Sequence, residues 1–160
     1  MSDRMNIVTL AKAWWGERLY EIEDPKPITY GDIIMNADLM VSLEEHFGVR
    51  PYDAQDVAHT AIDSTWLLEV WLPAWNRNRE RRGLRKHSEQ NDCDNRAFAF
   101  WQDTCVLWAI HQIYGQAPAM GVVKVPGHVL NWVETERGKL CVDVQIGEVP
   151  RHSNTYKVMF

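Results

Sequence analysis

Apolar residues along the first half of the chain recur at helical rather than strand spacing. Residues 5–20 place Ile7, Leu10, Ala11, Trp14 and Trp15 on one side, and Pro25 and Pro27 end the run. A second helix is predicted over 36–47, with Asn36 as cap, Leu39, Met40, Leu43 and Phe47 on one face, and Gly48 as stop. A third is predicted over 64–82. Ser64 would cap it, Leu67, Leu68, Trp71 and Trp75 form its stripe, and Pro73 must break or kink it. Residues 93–114 are apolar nearly all round, with a narrow polar edge at Asn95, Gln102 and Asp103 and a stop at Gly115. A helix of that kind belongs in a core.

Beyond Gly115 the period changes to two. Val122, Val123 and Val125 predict a short strand before Pro126-Gly127. Residues 128–134 and 139–146 alternate, and Thr-Glu-Arg-Gly joins them as the loop of a hairpin. Helices first and sheet second predict an α+β fold: N-terminal helices, a central buried helix, and a small antiparallel sheet packed on it. One domain over 1–160 is expected, helical over about 1–87 and with its core over about 88–150.

Composition narrows the range of functions. Hydrophobic residues make up 46% of 160, and charged residues 24%, which suits a folded globular chain. Eight tryptophans predict an aromatic core. A net charge of -5 argues against nucleic acid as the main partner. Segment 76–86 holds six of the seventeen Lys and Arg residues. It reads as a solvated helix end, or else as an electropositive rim for an acidic partner. Asp3, Arg4, Lys12 and Glu17 interrupt the first apolar stretch, so neither a signal peptide nor a membrane span is read there. Three cysteines, Cys93, Cys105 and Cys141, cannot all pair and read as reduced thiols. The expected setting is the cytoplasm.

Candidate chemistry lies at the junctions between elements. Cys93 begins the apolar helix with Asp92 as natural cap, where unpaired N–H groups and the helix dipole favour thiolate and can receive an oxyanion. Asp94 opposes thiolate formation and should point away. His128 follows Pro126-Gly127 at a strand start, within reach of a helix-start thiol, as nucleophile-and-base catalysis requires. Asp143 and Gln145, two apart, are expected on one face. A loop of three or four residues sets Gln145 or Ile146 opposite His128, with Asp143 a diagonal step away.

Other candidates have blander readings. Cys105 and Cys141 read as small buried hydrophobes, and His46, His59, His87, His111 and His152 as structural or exposed. Asn131 faces away from His128 and supports the sheet. A zinc site from Cys141, Asp143 and His128 matches no closed ligand spacing. Nor is there a phosphate-binding glycine motif, so no metal or cofactor is expected.

The order Cys-helix, His-strand, acid-strand resembles the papain-like and transglutaminase-like superfamily. More closely, D-C-D-x-x-A-F-A (Asp92 to Ala99), H-x-x-N-W (His128 to Trp132) and D-V-Q-I-G-E (Asp143 to Glu148) resemble small bacterial and phage proteins. These are related to the protease-like C-terminal domain of a fungal agglutinin, with its C-D-D-F-A, H-A-x-N and E-P-Q-x-G. The likeness covers about 88–150. It implies a papain-like cysteine hydrolase with Cys93 as nucleophile, His128 as base and Asp143 orienting the imidazole. There are departures. Asn95-Arg96 replaces the aromatic after the acids, and Asp143-Val144-Gln145 replaces E-P-Q, which leaves Gln145 as a rival for the third role. Gln90 is the candidate for a second oxyanion donor. The implied activity is that of a protease or amidase, with a protein or peptide substrate; amine transfer would use the same parts. The alternative is an inactive phage or prophage binding module that blocks a host protein in an anti-defence role.

Overall fold

The computed structural model describes residues 23–48, 58–84, 92–111, 113, 116–149 and 157–159. The helix predicted over 5–20 lies outside these residues. Helix α1 spans Asn36–Phe47. Met35, extended at ψ 147, precedes it, so Asn36 is its first helical residue rather than its cap, and no side chain caps it. At its far end Gly48 takes φ 69 and returns its N–H to Glu44 O at 2.8 Å, a left-handed cap that glycine adopts without a Cβ clash.

The region expected to be wholly helical also contains strands β1 (Thr29–Met35) and β2 (Ala58–Ile62). Neither shows simple alternation: β1 is exposed at every position but Ile34, and β2 is buried at every position but Ala58. Strands β3 (Ala117–Pro118), β4 (Met120–Val125), β5 (His128–Thr135), β6 (Gly138–Asp143), β7 (Gly147–Val149) and β8 (Lys157–Met159) complete an α+β fold. The sheet runs β1-β2-β5-β4-β8, with β3 beside β2 and β6 pairing both β5 and β7. It is mixed rather than antiparallel throughout, since β2 lies parallel to β3 and to the end of β5.

The predicted third helix forms, but it does not break at Pro73. A π-helical segment, Trp66–Trp71, runs directly into helix α2 (Leu72–Arg81), and Leu72 N–H bonds back to Leu67 O. Pro73 falls in the first turn of α2, where a missing N–H costs little, and the wider π turn just before it makes room for the ring. The charge run is not uniformly solvated either. Arg77 and Arg81 pair with Glu23 at 2.6 and 3.2 Å, whereas Arg79 is buried with its guanidinium over the Trp75 ring. A long stem packed on an indole lets a basic residue turn inward.

Helix α3 spans Cys93–Ile110, and the Gly115 expected to stop it lies outside the described residues. It is buried on one side only. Ala97, Phe100, Thr104, Leu107 and Trp108 face inward, while Gln102, Val106, Ala109 and Ile110 are exposed.

Alternation along the strands gives the sheet two covered faces. Val133, Leu140, Val142 and Met120 join Trp66, Trp71, Trp75, Phe100 and Trp108 on the side of α2 and α3. Leu130, Trp132, Val123, Val125 and Cys141 join Leu39, Leu43 and Phe47 on the side of α1. The predicted aromatic core is thus present, concentrated on one face.

Candidate active site

Two tight connections place the titratable side chains. Pro126-Gly127 closes the β4–β5 hairpin, with Val125 opposite His128 and Gly127 at φ 75. The preset φ of proline and the left-handed glycine together fix where the histidine leaves the turn. The β5–β6 loop is tighter than predicted: Thr135 pairs with Gly138, leaving only Glu136 and Arg137 between strands. Thr135 Oγ1 accepts from Arg137 N at 3.1 Å and donates to Gly138 O at 2.7 Å, locking the turn and with it the register. That register, Asn131 opposite Val142, brings Asp143 diagonally to His128, as the hairpin reading required.

His128 Nε2 and Asp143 Oδ2 are 2.7 Å apart, a charge-assisted hydrogen bond in which the ring N–H donates. The imidazole is 36% exposed and the carboxylate 12%. Asp143 Oδ1 accepts the backbone N–H of Gln145 at 2.8 Å. β6 ends at Asp143, so Gln145 does not share its strand face as predicted. It lies exposed in the turn Val144-Gln145-Ile146, closed by Ile146 N–H to Asp143 O at 3.2 Å, and it supports the carboxylate through its backbone.

Cys93 opens α3 with Asp92 as N-cap, as predicted; the Asp92 side chain accepts from Asn95 N at 3.3 Å. Asp94 is exposed and also accepts from Asn95 N. Cys93 is a free thiol, half-buried against Ala97, Val122 and Val129. Val129 follows His128 on β5, so the helix start meets the beginning of that strand. Strand alternation, however, sends Val129 toward α3 and His128 toward the other face. Among the described residues no hydrogen bond joins Cys93 to His128. Gln90 lies outside the described residues. Asn131, also facing α3, donates to Ala97 O at 3.0 Å and to Gly121 O at 3.1 Å, tying the first turns of the helix to the sheet.

Arg96 is a residue that pattern reading passed over except as a departure. It sits one turn after Cys93, is buried, and holds its guanidinium 5.8 Å from the Trp75 ring centre. Burial lowers its pKa below the usual arginine value, and the nearby Asp143 carboxylate pulls it back up. The sequence signal was an arginine directly before the apolar run Ala97-Phe98-Ala99-Phe100-Trp101 of a core helix.

An open cleft of about 350 Å³ borders the pair, lined by Val125, Pro126, His128, Leu130, Asp143, Ile146 and Val149. Among the described residues no group of three or more His, Cys, Asp or Glu side chains is placed to hold a metal ion, and no helix is long and apolar enough to cross a membrane.

No family model and no curated protein matches the chain. Among solved structures it is similar to a chain from a PSL1a-E64 complex, at 18% identity and a TM-score of 0.59. The likeness covers 80% of this chain and 50% of that one, so the chain spans about half the length of its structural neighbour. At that identity the likeness speaks to the fold alone.

Proposed function

We propose that the protein is a papain-like cysteine hydrolase of protease or amidase type, acting on a protein or peptide. Cys93 sulfur attacks the carbonyl carbon of an amide or ester, and His128 Nδ1 takes the thiol proton and passes it to the leaving group. Water then attacks the resulting thioester, with the same imidazole as base, and releases the acid and the free thiol. Asp143 holds the ring and stabilises its cationic form, and the helix-start N–H groups receive the oxyanion. The observation that carries this reading is the 2.7 Å bond from His128 Nε2 to Asp143, which leaves Nδ1 as the free basic nitrogen. The start of α3 lies against the beginning of β5, where Val129 of the cluster on which Cys93 packs follows His128, and this closeness of the two chain segments supports it. So does the fold shared with the chain of the PSL1a-E64 complex.

The test is selective labelling. Iodoacetamide near neutral pH should modify Cys93 well before Cys105 and Cys141, and His128→Ala should abolish the preference. Incubation with E64 should add one equivalent at Cys93. Equal labelling of all three thiols in the folded protein would sink the reading. Where a cleavable substrate is found, Asp143→Asn should lower kcat by roughly 10²–10⁴ through misorientation of the imidazole. Gln145→Ala should cost less, because Gln145 serves Asp143 through its backbone N–H. A larger loss for Gln145→Ala would move the third role to that side chain.

A second reading is an inactive binding module directed at a host protein. It is favoured by one observation, the missing hydrogen bond between Cys93 and His128 among the described residues. The labelling experiment separates the two, since a binding module needs no activated thiol.

A further inference from the structure

Arg96 is 7% exposed, a costly position for a guanidinium unless its surroundings use the charge. Its Nη2 donates to Asn76 Oδ1 at 3.2 Å, and Asn76 Nδ2 donates in turn to Val144 O at 3.0 Å. Val144 is the residue directly after Asp143. A polar chain therefore runs from the second turn of α3, through α2, to the end of β6 where the carboxylate sits. The charged groups facing that carboxylate are His128 from β5, at 2.7 Å, and Arg96 from α3, through its electrostatic attraction. The remaining Asp143 oxygen has a neutral backbone N–H. Arg96 Nε is buried without a hydrogen-bond partner, so the group is not optimised as a simple structural link.

We propose that Arg96 is a positioning residue for Asp143: through Asn76 it fixes the backbone at Val144, and its charge holds the carboxylate in the orientation that receives His128 Nε2–H. This rests on the orienting role proposed for Asp143 but not on the reactivity of Cys93. It gives a reason for the departure of this chain from the resembled motif, an arginine where an aromatic is expected. It also couples the two sides of the site, because Arg96 lies one helical turn from the thiol and within the field of the acid. A cation placed there disfavours an Asp143 that turns away to solvent, since that movement would leave a buried charge uncompensated.

The test reads the pair directly. In protein labelled with ¹⁵N-histidine, the His128 ring should be fixed as the Nε2–H tautomer, with a slowly exchanging proton shared with Asp143. Arg96→Met keeps the stem on Trp75 and removes the charge and the donor. It should speed exchange of that proton roughly tenfold or more, the scale of one charged hydrogen bond, and let the two tautomers average. Arg96→Lys should restore part of the protection, because a charge returns near Asp143; a purely packing role predicts no such rescue. If Arg96→Met does not fold, Asn76→Ala breaks the same chain from its other side and should give the same loss. A fixed tautomer and unchanged exchange in either folded variant would overturn the proposal. Iodoacetamide labelling of the wild-type protein reports on the hydrolase reading separately: a protected ring proton without selective labelling would remove the enzyme and keep the positioning role.

Discussion

On the α3 side of the sheet, three buried indoles each have a hydrogen-bond acceptor: Trp71 donates to Thr104, Trp75 to Asp103 and Trp108 to Thr60. Thr104 passes its own proton to Phe100 O, which extends the Trp71 bond into a short relay within the aromatic packing. On the α1 side the packing is mostly aliphatic, and it opens at one end into the cleft beside His128 and Asp143. Ile146 stands 75% exposed at its rim. A layer of large rings in which three of the four buried indole N–H groups are satisfied, Trp66 Nε1 being the exception, tolerates little movement, because most displacements cost both packing and a bond. The open face can admit a ligand without unmaking such bonds. The contrast teaches a division of labour: one face holds the strands in place so that the other can leave titratable groups accessible.

The first way to break this contrast is Trp75→Ala. It removes a fully buried ring, orphans Asp103 and takes away the surface on which Arg79 and Arg96 lie. Denaturant unfolding should show a loss of about 3–5 kcal/mol. A cost below about 1 kcal/mol would mean that the aromatic layer is not the rigid one.

On the other face, Leu130→Ala should cost about 2 kcal/mol, at the low end for this change, because the space left merges with an open cleft instead of closing as a void. A loss as large as that of Trp75→Ala would show the two faces to be equally committed to stability.

The smallest effect is expected outside both layers, at the β5–β6 turn. Burial raises the Glu136 carboxyl, but the hydroxyl and backbone N–H of Ser64 outweigh it and leave its pKa below the ordinary glutamate value. A carboxyl lowered on folding contributes stability above its unfolded pKa, and the contribution disappears as pH falls through the folded one. Glu136→Gln should therefore cost stability at neutral pH and nothing in acid, where both proteins are uncharged at this position. The group is exposed, so the difference should stay within about 1 kcal/mol. Unfolding curves at neutral and acid pH measure it, and an effect that persists in acid would exclude an ionic origin.

How far the sequence could be read depended on how local each cause was. The helices read over 36–47 and 93–114, the second ending at Ile110, the strands β4 to β6 and the cap at Asp92 follow from short-range patterns, whereas the short strands β7 and β8 were not read. β1 and β2 were not legible, because one is exposed and the other buried almost throughout, so neither alternates. Pro73 misled because the π-helical turn that accommodates it is decided by packing among Trp66, Trp71 and Phe100. At the site, the His128–Asp143 pairing was readable from hairpin register. The face on which each side chain emerges relative to Cys93 was not, since it depends on which layer α3 covers. Arg79 and Arg96 could not be read as buried, because the indole that receives them is brought there by tertiary contacts.

The short turns of β4 to β7 have a consequence for the order of assembly. His128 and Asp143 are fifteen residues apart and belong to neighbouring strands of one meander, whereas the bond from Asn131 to Ala97, which seats the thiol-bearing helix, spans thirty-four. The difference in loop-closure entropy is less than about 1 kcal/mol, too little to matter in the finished molecule. It matters on the way there, because contacts of low sequence separation form sooner. The expected order is that His128 and Asp143 meet before the start of α3, which carries Cys93, docks on the sheet.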